Sequence, residues 1–527
     1  MAPIQANPEL LQKLEDALIA RNIKAGFTSL DKLLTKKPQL DTTKKNSLSL
    51  LLCIAQWVDL GYRDISFLEL LHSQFAHADV SQLPFIDYLK LQLVEAFLGL
   101  SHEDLNRAIA LLELTLRAGE TVMPFPLVFL SNFWKGRAHR KKGEYALALL
   151  HISAARATAE RAKESKLVAV TKIHESWLVF QRGERRLAFQ LLDEAEEELR
   201  STGHGLSLGN IESARGRFVR RAGEYARALA HFERAIEIYS ANYPTHPNHA
   251  RALVNAAYVK RLIALDMQPT TRGGQARGST HARSLLISRE ALEMLRKAGD
   301  IYAIHHHQGG TGSVLVNTGH IHLESGDIDK ASEEGQKAYK LGEERHDQIL
   351  MARARILQVS VELARSEEQL GEHPDASMNA QLAVQFAEEA IELATQTQNK
   401  RLLAGAYIVR GAAAADEFFQ EWELAKEFAA KAAELLGKDD RDHLLKDLSS
   451  LKAKTLHATG IDQTLRLWSD GEVGNKTFQQ IQEEFAEFVI PKIWMKQGRN
   501  ITRVAQKLSI SPKKIRRILR NSRHLDT

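Results

Sequence analysis

The sequence predicts an all-α fold, a solenoid of helix pairs followed by a small helical module. Three observations carry that expectation. Four segments, NRAIALLELTL, YALALLHISAARA, RRLAFQLLDEAEE and YARALAHFERAIE, align without gaps and place Ala108, Ala148, Ala188 and Ala228 forty residues apart. A recurrence of this kind marks stacked supersecondary units, each burying its apolar face on the next. Gly and Pro number 31 and 12 in 527 residues and aromatics make up 7%, a composition that favours long helices over short strands and turns. Charge is segregated as well: Lys492 to His524 hold eleven Lys and Arg and no Asp or Glu, while the formal net charge is +5, so the remainder carries −6.

Residues 1–80 are helical by periodicity and are expected to form an N-terminal cap or degenerate repeats. Cys53, the single cysteine, lies in the apolar run LSLLLCIAQW and reads as a buried small hydrophobe. One cysteine excludes an intrachain disulfide and fits a reducing compartment. Residues 81–457 hold the repeats. The clearest unit runs from Ala214 to Tyr239, with Gly216, Gly223, Tyr225, Ala228, Phe232 and Ala235 in series. Gly136, Gly143, Tyr145, Ala148 and Ala155 repeat most of it earlier, and Gly319, Gly326, Ala331 and Ala338 later. Small residues on one helix let its partner approach, and Phe232 fills the gap between units.

This series resembles the tetratricopeptide family, whose repeats are antiparallel helix pairs. The family's period is ~34 residues, so forty implies helices longer by about a turn each. Such units are similar to the sensor solenoids of some bacterial transcriptional activators. The resemblance implies a concave surface that receives a protein, peptide or small ligand.

After Tyr239 the period breaks. A helix near His249 to Leu265 is followed by MQPTTRGGQARGSTHAR, which predicts an insertion near 267–283. Helical pattern resumes over 284–297, with pairs around 313–344, 349–395 and 400–437, and EEQLGEHPDASMN joining two helices. Residues 458–475 are expected to be a linker and 476–527 a separate terminal domain.

In that domain Phe478, Ile481, Phe485, Phe488, Val489 and Trp494 fall mostly on one helical stripe, with a bend expected at Pro491. Asn500 can cap a helix whose apolar face is Ile501, Val504, Ala505 and Leu508. Ser509 and Ile510 form a short turn. Ser511 and Pro512 then start a last helix with Ile515, Ile518 and Leu519 facing inward and Lys513, Lys514, Arg516, Arg517 and Arg520 facing outward. The arrangement resembles the Fis-type helix-turn-helix over about forty-five residues, matching at Asn500, Ala505, Leu508, Ile510 and Ile515. It departs where Arg499 replaces the usual glycine, Val504 the first alanine and Ser509 the turn glycine, and Lys514 stands at the family's Thr position. The resemblance implies double-stranded DNA as partner. Phosphate contacts are expected from Arg503, Lys507 and Arg520, and base-edge contacts from Ser511, Lys513, Lys514, Arg516 and Arg517, with Asn500 beside them. It also implies a homodimer, for which the apolar stripe is either the seam or the domain's own packing face.

Other chemistry is not expected. His305, His306 and His307 are consecutive and cannot share a helical face as metal ligands. Gly309 to Ser313, GGTGS, lacks the spacing and lysine of a P-loop and reads as a helix start whose amides can meet an anion. The acid run Asp193 to Glu198 reads as a solvated face. No nucleophile and base pair stands out, so neither an enzyme nor a cofactor is expected. No apolar run approaches the ~20 residues of a membrane span, and the N-terminus lacks a secretory pattern, so the expected location is cytoplasmic, on the nucleoid when DNA-bound. The sequence thus leads to a DNA-binding transcriptional regulator with a sensing solenoid. The alternative is a scaffold or adaptor that a basic module anchors to nucleic acid.

Overall fold

The computed structural model describes residues 8–34, 40, 46–76, 80–119, 122–267, 278–368, 375–437, 440–458, 468 and 473–521. Among them are twenty-four α-helices and no β-strand, in two compact units, Met1–Lys452 and Ala453–Thr527.

The first unit begins with α1 (Pro8–Ile19), α2 (Ile23–Leu33), α3 (Ser47–Asp59) and α4 (Ile65–His72). Eight antiparallel pairs follow, each helix packed most closely on a sequence neighbour: α5 (Phe85–Ser101) with α6 (Leu105–Gly119), α7 (Phe125–Lys142) with α8 (Tyr145–Arg161), α9 (Ser165–Gln181) with α10 (Arg185–Leu199), and α11 (Gly205–Arg221) with α12 (Tyr225–Asn242). The series continues through α13 (Pro247–Asp266) with α14 (Gly278–Ile304), α15 (Gln308–Glu324) with α16 (Ile328–Glu344), α17 (Gln348–Glu368) with α18 (Asp375–Thr395), and α19 (Lys400–Ala414) with α20 (Trp422–Leu435), before α21 (His443–Ala458). The fold is a tetratricopeptide-like α-solenoid.

The four alanines of the forty-residue register sit on α6, α8, α10 and α12 and are all 0% exposed. Their lack of a larger side chain lets each second helix lie close to its partner. At Gly216 on α11 an added Cβ would stand 2.8 Å from the ring of Phe232 on α12, and at Gly136 on α7 it would meet Ile152 on α8 at the same distance. The first helix of these units ends in a left-handed glycine, Gly143, Gly183 or Gly223, at φ 86°, 92° and 79°. The same register holds earlier with non-glycine residues, Glu103 at φ 63° and Arg63 at φ 56°. Helices α1 to α4 share one apolar core with the pairs as far as α13, which contributes Ala252, and Cys53 is buried in it.

The period is lost after Tyr239 because helices lengthen: α14 spans 27 residues and α17 and α18 span 21 each, yet pairing persists. The predicted insertion near 267–283 needs correction at its end. Residues 268–277 lie outside the described residues, but 278–283 already form the first turns of α14. Of the predicted linker 458–475, residues 459–467 and 469–472 lie outside the described residues, and the division between the two units falls within α21.

The solenoid closes on itself. The left-handed Glu103, between α5 and α6, accepts a hydrogen bond from the Gly309 amide at 3.0 Å and pairs with Arg345 at 2.7 Å. Ala146 N donates to Gln398 Oε1 at 3.3 Å, and buried Asp440 lies between Arg221 at 2.5 Å and Arg401 at 2.6 Å. The helix-start loop at Gly309 thus does meet an anion, which is the chain's own carboxylate.

Burial alone would raise the Glu103 carboxyl, but Lys141, His307, Arg345 and the Gly309 amide together hold it below its ordinary value. A carboxyl depressed in the folded state adds stability above its unfolded value, ~4.3, and loses it as pH falls through the folded value. Glu103→Gln is therefore expected to lower the thermal midpoint at neutral pH, and calorimetry should show the gap to wild type closing as pH drops below about 4. A gap that stays constant with pH would mean the closure does not depend on this charge.

Candidate functional site

The second unit contains α22 (Phe478–Lys496), α23 (Ile501–Leu508) and α24 (Pro512–Asn521). A capping box starts α22: the Thr477 hydroxyl receives the Gln480 amide N–H, while the Gln480 side chain receives that of Thr477. The helix runs through Pro491 without ending there. Gly498 and Arg499, both left-handed at φ 64° and 60°, turn the chain into α23. Asn500 Oδ1 accepts from Arg503 N at 3.1 Å and so caps that helix. Ser509 follows at φ 53° and ψ 38°, a left-handed conformation, with Ile510 N donating back to Ala505 O at 3.2 Å. Ser511 Oγ accepts from Lys514 N at 3.2 Å and caps α24. Arg499 and Ser509 both hold a left-handed backbone, which costs a non-glycine residue about 1–2 kcal/mol.

Ile490, Val504, Ala505, Ile515, Ile518 and Leu519 form the core of this unit, with Ala486, Ile493, Trp494, Ile501, Leu508 and Ile510 packed around them. The predicted stripe on α22 is corrected accordingly. Ile490, which it omitted, is buried, while Phe478 and Phe485 are 73% and 49% exposed. The helix is broader in apolar surface than one stripe, because it serves the core with one side and leaves aromatic rings on another.

All nine sequence-predicted contact residues, Asn500, Arg503, Lys507, Ser511, Lys513, Lys514, Arg516, Arg517 and Arg520, are exposed. Five of the cations stand on α24 alone, opposite its buried Ile515, Ile518 and Leu519. Among the described residues none of the cations from Arg503 to Arg520 has an ion-pair partner. Asn500 and Ser511 already use an oxygen as a cap, which leaves their amide and hydroxyl hydrogens to face a ligand. Arg523 and His524 lie outside the described residues.

The first unit contains a second candidate that sequence inspection missed. A cavity of about 150 Å³ opens among the first helices of successive pairs, with Arg137, Arg140 and Lys141 from α7, Arg217 from α11 and Arg251 from α13 in its wall. Its signal was available in the register: Arg137, Arg140 and Lys141 recur eighty residues later as Arg217, Arg220 and Arg221. The consecutive histidines have separate structural duties. His305 Nε2 meets Thr245 O at 2.7 Å, His306 turns left-handed at φ 48°, and His307 Nδ1 accepts from Gly310 N at 2.9 Å as the cap of α15. No group of three or more metal-ligating side chains occurs among the described residues, and none of their helices is long and apolar enough to cross a membrane.

The architecture places the first unit in the class of tetratricopeptide-like solenoids, and the sequence model of the tetratricopeptide repeat matches residues 207–264, which cover α12 and most of α11 and α13. No curated protein matches the sequence. Among solved structures, the chain is similar to a Rap protein complexed with competence and sporulation factor, at 14% identity, over 74% of this chain and 100% of that one, with a TM-score of 0.45. It is similar to human IFIT1 solved as a dimer with PPP-AAAA, at 13% identity over 82% and 96%, TM-score 0.42. It is also similar to yeast Tom70, at 12% identity over 88% and 98%, TM-score 0.37. At these identities and TM-scores no functional conclusion rests on them.

Proposed function

We propose that this chain is a non-enzymatic, DNA-binding transcriptional regulator whose second unit is a Fis-type helix-turn-helix and whose solenoid receives a protein, peptide or small ligand. The observation that carries the reading is α24, with Lys513, Lys514, Arg516, Arg517 and Arg520 exposed over a buried face of Ile515, Ile518 and Leu519. Five uncompensated cations on a ten-residue helix repel one another and are not there for stability. A polyanion repays them through phosphate contacts and counterion release. The helix length and the turn at Ser509 suit insertion into a major groove. Two such helices would be presented by a homodimer, for which exposed Phe478 and Phe485 on α22 offer the apolar contact. Cytoplasmic residence, on the nucleoid when bound, accompanies this reading.

One observation favours the scaffold or adaptor alternative. With Asn500 and Ser511 engaged as caps, the seven remaining contact residues are all long cations, a set that suffices to grip phosphates on any sequence. Selection of binding sites from random duplexes, using the full chain and a chain lacking residues 476–527, separates the two. The regulator predicts enrichment of one palindromic motif by the full chain and none by the truncated one. Retention without enrichment supports the adaptor, and binding that survives truncation sinks both.

A further inference from the structure

The reading that the solenoid receives a ligand leaves the ligand's chemistry open, and the cavity wall narrows it. Six cations line the cavity: Arg21, Arg137, Arg140, Lys141, Arg217 and Arg251. Carboxylates answer only two of them. Arg137 holds Asp59 through two hydrogen bonds of 2.5 and 2.9 Å, and Lys141 stands 3.8 Å from Glu103, which Arg345 already engages. Arg21, Arg140, Arg217 and Arg251 have no ion-pair partner among the described residues. Arg140 instead packs over the Trp177 ring at 5.7 Å, and Arg217 Nε donates to Ser213 O at 3.3 Å.

Such crowding of like charge is unfavourable to the fold. Burial and the neighbouring guanidiniums push Arg140 and Arg217 down to about 9, and Lys141, although helped by Glu103, down to about 8. All three remain cationic at neutral pH and repel one another in a confined space. Phe129, Phe133, Ile173 and Leu206 form an apolar wall beside them, which lowers the local dielectric and strengthens any charge pairing made there. His204 lines the same cavity at 2% exposure, and neither of its ring nitrogens has a hydrogen-bond partner in the described protein. His174, also in the wall, has an unpartnered Nδ1. Buried polar groups in this number without partners are rare in a finished interior.

We infer that the solenoid interior is a binding site for a small molecule bearing several negative charges, gripped by Arg140, Arg217, Arg251 and Arg21, with His204 hydrogen-bonding it. Guanidinium forks match phosphate and carboxylate oxygens equally well in geometry, so the shared chemistry is that of a compact oligoanion. At about 150 Å³ the cavity admits a small molecule and not a folded partner.

The inference rests on the sensing half of the proposed function and is tested apart from the DNA-binding half. Isothermal titration of the full chain at about 0.1 M salt would use inorganic triphosphate and citrate, which distinguish a phosphate from a carboxylate source. Saturable binding of either is expected, weakened about tenfold or more in Arg140→Gln/Arg217→Gln and unchanged in Arg516→Ala/Arg517→Ala. Arg251→Gln provides an independent single change should the double variant fold poorly. The ligand-free double variant should nevertheless unfold at a temperature no lower than wild type, because it relieves repulsion. It should also bind duplex DNA as wild type does. Failure of both anions to bind wild type, or binding that the cavity variants leave intact, would overturn the site. Weakening seen only in the α24 variant would assign the anion to the second unit and overturn it equally.

Discussion

Replacing Arg516 and Arg517 together with Ala is expected to weaken binding of the full chain to duplex DNA by at least about tenfold at ~0.1 M salt. The slope of log affinity against log salt should become shallower by up to about 1.8, since each phosphate neutralised contributes about 0.9. If either arginine instead reads a base edge, the loss should be larger on a selected site than on random duplex, by about 1–3 kcal/mol per contact. Both side chains are exposed and unpaired among the described residues, and they lie opposite Ile515, Ile518 and Leu519. Their removal lowers like-charge repulsion along α24, so thermal stability should hold or rise slightly. That separates a lost contact from a lost fold. An unchanged affinity and salt slope in a normally folded variant would remove α24 from the interface and with it the central support of the proposed function.

The parts of this architecture that depend on near neighbours in the chain were evident from the residues alone. Ala108, Ala148, Ala188 and Ala228 announce a close helix contact at fixed spacing, and each is fully buried. Asn500 and Ser511 cap the helices that follow them because a short polar side chain can reach the amide three residues on. Glycine at 143 and 223 marks left-handed helix ends, but Arg63 and Glu103 take the same backbone without the residue type that advertises it, so those two helix ends were hidden. Glu103 remains there because its carboxylate is engaged from across the solenoid by Gly309 and Arg345. Partners more than two hundred positions apart leave no local pattern, and the same holds for Arg221 with Asp440. The basic cavity lay between these cases. Its residues follow the repeat, yet basic residues on a helix look solvated until the superhelix turns them inward. On α22 the misjudged stripe arose because one helix carries two apolar faces and periodicity alone does not say which is covered.

The contact between Gly216 and Phe232 should be the most sensitive point in the repeat core, and a double-mutant cycle can establish it. Phe232 is fully buried on α12, among Val219, Tyr225, Ala256, Val259 and Leu262. Phe232→Ala should cost about 3–5 kcal/mol through lost burial and the cavity left behind. Gly216→Ala alone should also destabilise. Its new methyl would lie 2.8 Å from the Phe232 ring, and overpacking of about 1–3 kcal/mol outweighs the ~1 kcal/mol gain in helix propensity. In Gly216→Ala/Phe232→Ala the added methyl occupies space the ring vacated, so the two losses should fall short of their sum by about 1–3 kcal/mol in urea unfolding. Additive losses would mean that the two residues do not share a contact. Because the units of a solenoid pack chiefly on their neighbours, and the end of α11 is also held by Asp440 through Arg221, faster amide exchange in Phe232→Ala should concentrate in α11, α12 and α13 and extend to the segment at Asp440. Arg217 adjoins Gly216 on α11 and projects into the cavity wall.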